Sequence, residues 1–127
     1  MNSNRVVFSA EEAKRFGGLY GNEASFWTPT PDSIQELETL LPEYLKLHPP
    51  IDDSPVGSLF DYGRQYYGVD KDGRKLVCLN AFCHPERFDP RWKNCFIDVQ
   101  DGGSHYFRVH FDPVKKEFVS FRYIGKA

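Results

Sequence analysis

The chain has 127 residues, is 40% hydrophobic and 27% charged, and so has the size and composition of one folded domain. Its net charge of −2 and its pI of about 6.1 argue against a nucleic-acid binder, which would normally be clearly basic. No apolar run approaches the roughly 18 residues of a membrane-spanning helix. The first residues also lack the apolar stretch of a signal peptide. We therefore predict a cytoplasmic protein that binds neither nucleic acid nor membranes.

The N-terminal segment, residues 1–29, contains one short helix signal. Ser9 followed by Glu12 forms a capping box, in which each side chain accepts a hydrogen bond from the other residue's backbone N–H. Phe26 and Trp27 are large apolar residues near the end of the segment. We expect these two side chains to anchor the segment to the rest of the domain.

The strongest helix signal covers residues 30–48 and starts with Thr30 as the N-cap and Pro31 at the first helical position. Apolar residues then recur at helical spacing and predict a single buried face. They are Ile34, Leu37, Leu40, Leu41, Tyr44 and Leu45. Pro42 lies inside this pattern. It predicts a kink or break near Leu41, because proline removes a hydrogen bond and crowds the preceding turn.

From residue 59 onwards the apolar pattern changes to the period of two that is typical of strands. The predicted strands are residues 60–70, 75–83, 93–100, 106–111 and 118–123. Asp72-Gly73 lies between the first two and predicts a type I′ hairpin, which needs positive φ at both central positions. The predicted fold class is therefore α+β: an N-terminal helical segment with a kinked amphipathic helix packed on one face of a roughly five-stranded antiparallel meander sheet. We place all of it in a single domain, residues 1–127.

Hydrophobic matching predicts which residues of the later strands face each other. A three-residue loop after Asp101 pairs Ile97 with Val109 and Asp98 with Arg108, and it places apolar residues on one face. The same parity puts Val119, Phe121 and Tyr123 on this apolar face, beneath the helix. The other face is then partly open and is our candidate binding surface. Its residues are Phe96, Asp98, Tyr106, Arg108, His110, Gln65 and Asn80.

The sequence contains no clear catalytic or metal-binding constellation. The spacing of Cys78, Cys83 and His84 is not that of a zinc site, so we predict no metal and no cofactor. The sequence does not decide whether Cys83 and Cys95 form a disulfide. Cys95 falls on the apolar face and His110 on the other, which argues against a Cys–His nucleophile, and no Gly-x-Ser-x-Gly elbow is present.

An acid–base site formed by Asp98, Arg108 and His110 on the open face is conceivable, but an ordinary cross-strand ion pair beside an exposed histidine is the better explanation. We therefore predict no catalytic residue.

Several segments resemble a set of small bacterial proteins of uncharacterised function. The resemblance lies in Trp27-Thr-Pro, Ile34-x-x-Leu-Glu-x-x-Leu-Pro-x-Tyr-Leu45, Arg64-Gln-Tyr-Tyr-Gly68, Asn80-Ala-Phe82 and Asp101-Gly-Gly-x-x-Tyr-Phe-x-Val-x-Phe-Asp112. It covers roughly residues 26–127 and implies no activity. The order of helix and meander also resembles cystatin-type folds. The Gln-x-Val-x-Gly loop of those inhibitors is missing here, so this analogy implies fold alone.

Two classes of function are compatible with these features. The first is a non-enzymatic protein-binding or interaction protein, including an immunity-like role, that uses the open sheet face. The second is a small-ligand binder or small enzyme with a pocket between the helix and a curved sheet. A homodimer built through sheet faces or edges is a third possibility for the assembly.

Overall fold

The computed structural model describes residues 5–15, 25–47, 62–82, 90–93 and 106–123. The elements are β1 (Arg5–Val7), α1 (Ala10–Arg15), β2 (Ser25–Trp27), α2 (Pro31–Leu45), β3 (Gly63–Lys71), β4 (Arg74–Phe82), a 3-10 turn (Pro90–Lys93), β5 (Tyr106–Asp112) and β6 (Glu117–Tyr123). The α+β class predicted from the sequence is confirmed.

The strands form a six-stranded sheet in the order β1-β3-β4-β5-β6, and β2 pairs with β3 as well. β3 to β6 form an antiparallel meander, but β4 pairs directly with β5, where the prediction placed the strand 93–100 between them. β1 pairs with β3 in parallel, so the sheet is mixed rather than antiparallel. The sequence did not predict β1 and β2, because strands of three residues are too short to show an alternating pattern. The strand predicted at 93–100 lies outside the described residues, apart from Lys93 in the 3-10 turn.

Both predicted helix starts are confirmed. Ser9 and Glu12 exchange side-chain-to-backbone hydrogen bonds of 2.9 and 3.1 Å, which is the expected capping box of α1. The Thr30 hydroxyl accepts from the Ser33 backbone N–H at 3.1 Å and caps α2. The Asp72-Gly73 turn is confirmed as well, with φ values of 55° and 79°.

α2 is one continuous helix through Pro42, so no break occurs at Leu41. Pro42 is exposed and lies one turn from the helix end, where proline withholds only the hydrogen bond to the Glu38 carbonyl. Leu37 and Leu41, which both precede Pro42, are fully buried, and their packing keeps the helix on the sheet. Leu40, which was predicted to face inward, is 37% exposed.

The main core lies between α2 and the sheet. Its buried members are Ile34, Leu37, Leu41, Tyr62, Tyr66, Val77, Leu79, Ala81, Phe107, Val109 and Phe111. Tyr44 closes one end by stacking on Phe118, with ring centroids 4.3 Å apart. The predicted placement of Val109 and Phe121 beneath the helix is confirmed.

The opposite side of the sheet, here called the second face, carries a smaller core. It consists of Phe8, Ala13, Tyr67, Val69, Leu76 and Cys78, with Val6, Phe26 and Val119 packed against it. Because Phe8 and Ala13 belong to the N-terminal segment, that segment covers part of a face that we expected to be open. Phe26 and Trp27 do anchor this segment, as predicted.

Val119 lies on the second face, contrary to the prediction that placed it beneath the helix. The β5–β6 ladder shifts register at this point: His110 pairs with Ser120, whereas the next residue, Phe111, pairs with Phe118. The residue between them is a β-bulge, and a bulge reverses the parity of every later side chain. Simple alternation along β6 therefore fails at this position.

The predicted Asp98–Arg108 pairing is wrong. Arg108 of β5 has Asn80 of β4 on one side and Arg122 of β6 on the other, so both ladder positions beside it are occupied. The predicted parity of β5 itself holds, because Phe107 and Val109 are buried beneath α2. Asp98 lies outside the described residues. Within the part of the chain that the structure describes, no helix is long and apolar enough to cross a membrane.

Candidate functional site

Four of the seven predicted binding residues lie together on the second face. They are Gln65, Asn80, Arg108 and His110, which come from three neighbouring strands. Tyr106 is the first residue of β5, and its side chain lies outside the described residues. Phe96 and Asp98 also lie outside them.

The first polar row on this face is a ladder of hydrogen bonds across β3, β4 and β5. The Asn80 amide donates to the Gln65 amide oxygen at 2.8 Å, and Arg108 Nε donates to the Asn80 oxygen at 3.3 Å. The Gln65 amide in turn donates to the Trp92 carbonyl at 2.7 Å. Gln65 and Asn80 are fully buried, so the expected open surface does not exist at these two positions.

Trp92 lies over this end of the second face and accepts the hydrogen bond from Gln65. Its ring meets the Phe82 ring edge-on, with centroids 5.1 Å apart, and is itself 4% exposed. The 3-10 turn that contains Trp92 thus covers one end of the second face. The sequence signal for this cover was weak, because an aromatic residue between two charged residues in a proline-containing loop has no periodic pattern.

The second polar row runs parallel to the first and consists of Tyr67, Cys78, His110 and Ser120, which are successive partners across β3 to β6. Burial raises the pKa of the Cys78 thiol, although a hydrogen bond with Tyr67 and the charge of Arg108 lower it in part. A hydrogen bond joins His110 Nδ1 and the Ser120 hydroxyl at the exposed end of the row. Sequence reasoning missed Ser120, because its place opposite His110 depends on the bulge.

A hollow of about 390 Å³ opens on the second face beside this row. Apolar side chains of Val69, Leu76 and Val119 line it together with polar ones. The polar lining is Lys71, Asp72, Arg74, His110 and Ser120. The hollow lies at the hairpin end of the sheet, where Lys71, Asp72 and Arg74 surround the β3–β4 turn, and it borders the second core.

Arg74 is held at the rim of the hollow by two carboxylates. Its guanidinium contacts Asp112 at 2.6 Å and Glu117 at 3.1 Å. Burial of Asp112 alone would raise its pKa. Hydrogen bonds from the backbone of Lys115 and Val114 and from Arg74 outweigh that effect, and they lower the pKa of Asp112 below its ordinary value. These contacts fix the β5–β6 turn against the start of β4.

A separate polar cluster lies on the other side of the sheet, between α2 and the strands. Glu38 of α2 accepts hydrogen bonds from Arg64 Nε at 2.8 Å and from the Tyr66 hydroxyl at 2.5 Å, and Arg5 approaches it at 3.8 Å. Burial raises the pKa of the Tyr66 phenol, and the negative charge of Glu38 adds to this effect. The alternative function needs a pocket in this layer, in which the described residues place the apolar side chains of the main core and this cluster.

The described residues contain no group of three or more His, Cys, Asp or Glu side chains that could hold a metal ion. The chain was also compared with known proteins. It matches no family model, no curated protein and no solved structure.

Proposed function

We propose that this chain is a protein-binding protein, and that the hollow on the second face receives an apolar side chain of the partner. The observation that carries this proposal is the composition of the hollow, in which Val69, Leu76 and Val119 are combined with charged and hydroxyl groups. Anchor pockets at the centres of protein interfaces share this design, because an apolar side chain gains burial while the surrounding polar groups complete hydrogen bonds.

The surroundings of the hollow support a preformed site. Val69 and Leu76 are buried members of the second core, and Arg74 is held by Asp112 and Glu117. A rigid pocket loses little conformational entropy when a partner binds, so a small contact yields more affinity. His110 lines the hollow and Arg108 lies beside it in the first polar row, and both are half-buried, so they would contact the edge of a docked partner.

A peptide-display selection against the immobilised full chain tests the proposal. We expect enriched sequences to share an apolar anchor residue, and we expect their binding to fall at least about tenfold in Val119→Asp, which places a charge in the hollow. Val114→Asp is the matched control, because Val114 is 83% exposed on the β5–β6 turn and does not line the hollow. Equal binding to both variants would show that the hollow is not the site.

We propose the kind of partner from the features of the sequence. An immunity-like role is one form of protein binding, in which the partner is a toxin encoded beside this gene, and that toxin is the first candidate for a direct binding assay. A cytoplasmic location and a relationship to the small bacterial set belong to the same proposal, and the shared segments support the relationship. Light scattering after size-exclusion chromatography tests whether the partner is a second copy of the chain.

A further inference from the structure

Ser120 and His110 form a hydroxyl–imidazole pair at the wall of the hollow. The Ser120 hydroxyl hydrogen-bonds to His110 Nδ1, and both residues line the hollow. Ser120 is exposed, whereas His110 Nε2 is buried, so the imidazole is fixed with its Nδ1 edge towards the serine. The two residues are direct partners in the β5–β6 ladder, which holds them in register.

This orientation suits proton transfer from the hydroxyl. In the neutral imidazole with its proton on Nε2, Nδ1 carries the lone pair and accepts from the serine O–H. Serine is a weak nucleophile by itself and becomes effective when an adjacent base takes its proton. We propose that Ser120 is a nucleophile activated by His110, and that the hollow accepts small esters with an apolar acyl group.

The acyl group would lie against Val69, Leu76 and Val119, because these are the apolar side chains of the hollow. Lys71 lines the same hollow and is the source of positive charge for a carbonyl oxygen that becomes negative there, whereas the charge of Arg74 is already paired with Asp112 and Glu117. A volume of about 390 Å³ suits a small molecule, since ligand pockets span roughly 300–1,000 Å³.

The reaction is a two-step hydrolysis. The Ser120 Oγ–acyl bond forms and the ester C–O bond breaks, while the hydroxyl proton passes through His110 Nδ1 to the leaving alcohol. Water then attacks the acyl-serine, the acyl–Oγ bond breaks, and the carboxylic acid leaves as Ser120 regains its proton. The sum is ester plus water to acid plus alcohol. This activity requires that the hollow binds a small ester, and it does not depend on the protein partner proposed above.

The direct test treats the full chain with a fluorophosphonate probe and with p-nitrophenyl acetate, and locates adducts by peptide mass spectrometry. We expect a probe adduct on Ser120 and a loss of labelling of about 100-fold in His110→Gln, in line with general-base contributions. Ser120→Ala should abolish the adduct and reduce ester hydrolysis. Ser25 is an exposed serine on β2 and is the internal control. Labelling of Ser120 no faster than that of Ser25 would overturn the proposal.

A second test does not depend on the folding of a histidine variant. In Ser120→Cys the neighbouring imidazole should favour the thiolate, and alkylation by iodoacetamide at pH 7 should be at least about tenfold faster than in Ser25→Cys. Peptide mapping separates the new thiol from the three native cysteines. Equal alkylation rates would mean that His110 does not activate this position. Peptide binding by the hollow would be unaffected by that result, so the two proposals fail separately.

Discussion

The Asn80 side-chain amide donates a 2.8 Å hydrogen bond to the Gln65 amide oxygen across the β3–β4 ladder, and neither residue is exposed to solvent. Asn80 also accepts from Arg108, and Gln65 donates to the Trp92 carbonyl. The pair thus connects three strands of the sheet to the 3-10 turn that covers it. Buried polar groups with satisfied hydrogen bonds specify one arrangement, because any slip leaves a donor or an acceptor unpaired.

Replacement of one member of this pair should be costly. Asn80→Ala removes the donor to Gln65 and the acceptor for Arg108, and a buried polar group left unsatisfied costs about 1–3 kcal/mol. We expect a loss of about 3 kcal/mol in the free energy of unfolding, measured by urea denaturation. The double variant Gln65→Met with Asn80→Leu should recover only the part that belongs to the unpaired Gln65 oxygen and the lost side-chain volume, because the Trp92 carbonyl then loses its donor and Arg108 still lacks its acceptor. A double variant less stable than Asn80→Ala would contradict this explanation.

The turns and helix caps, which depend only on residues close together in the chain, were predicted from the sequence. The Asp72-Gly73 hairpin and the Ser9 and Thr30 caps form as expected, because each is decided within a few residues. The pairing of Gln65 with Asn80 follows from the two-residue hairpin, which sets the register of β3 against β4. These positions needed no knowledge of the rest of the chain.

Non-local pairing could not be predicted in the same way. The β4 residues Val77 and Leu79 alternate in the same manner as Ile97 and Val99, so hydrophobic matching could not tell which segment pairs with β5. The bulge at Val119 is a second example, because it depends on the fit of two strands and brings Ser120 opposite His110. The candidate site was therefore predicted as a face of the sheet and not as a hollow.

The carboxylate of Glu38 should contribute strongly to stability. It contacts Arg64, whose side chain is 3% exposed, and removing one partner of a buried ion pair leaves an uncompensated charge. We expect Glu38→Gln to lower the free energy of unfolding by about 3 kcal/mol. Glu43→Gln is the control, because Glu43 pairs with Lys46 at the surface and should change stability by no more than about 0.5 kcal/mol. Equal losses of stability in the two variants would mean that burial does not determine how much these ion pairs contribute to stability.

Stability should fall in alkaline solution because of Tyr66. Its pKa is raised in the folded protein, so above pH of about 10 the unfolded chain loses the phenol proton while the folded chain keeps it. The free energy of unfolding then decreases as the pH rises, by at most about 1.4 kcal/mol per pH unit for this group. The raised pKa of Cys78 acts in the same direction from about pH 8.5. Urea denaturation between pH 8 and 11 gives the free energy of unfolding at each pH. Above pH 10 this free energy should fall less steeply with pH in Tyr66→Phe than in the unmodified protein, and identical slopes would exclude Tyr66 as the cause.

Gly68 should not tolerate a side chain, because Trp27 lies directly against it. A Cβ atom at Gly68 would lie 2.7 Å from Trp27 Nε1 and 2.8 Å from Cδ1, and this indole donates hydrogen bonds to the carbonyls of Val69 and Leu76. Gly68→Ala should push β2 away from β3 and cost about 3 kcal/mol, at the upper end for overpacking. Gly73→Ala is the matched control: it has open space around the new atom and a φ of +79°, so it should cost only about 1–2 kcal/mol of backbone strain. Urea denaturation gives both values, and the fluorescence of Trp27 in a Trp92→Phe background should shift to the red only for Gly68→Ala. An unshifted spectrum with unchanged stability would show that Trp27 does not depend on this close approach.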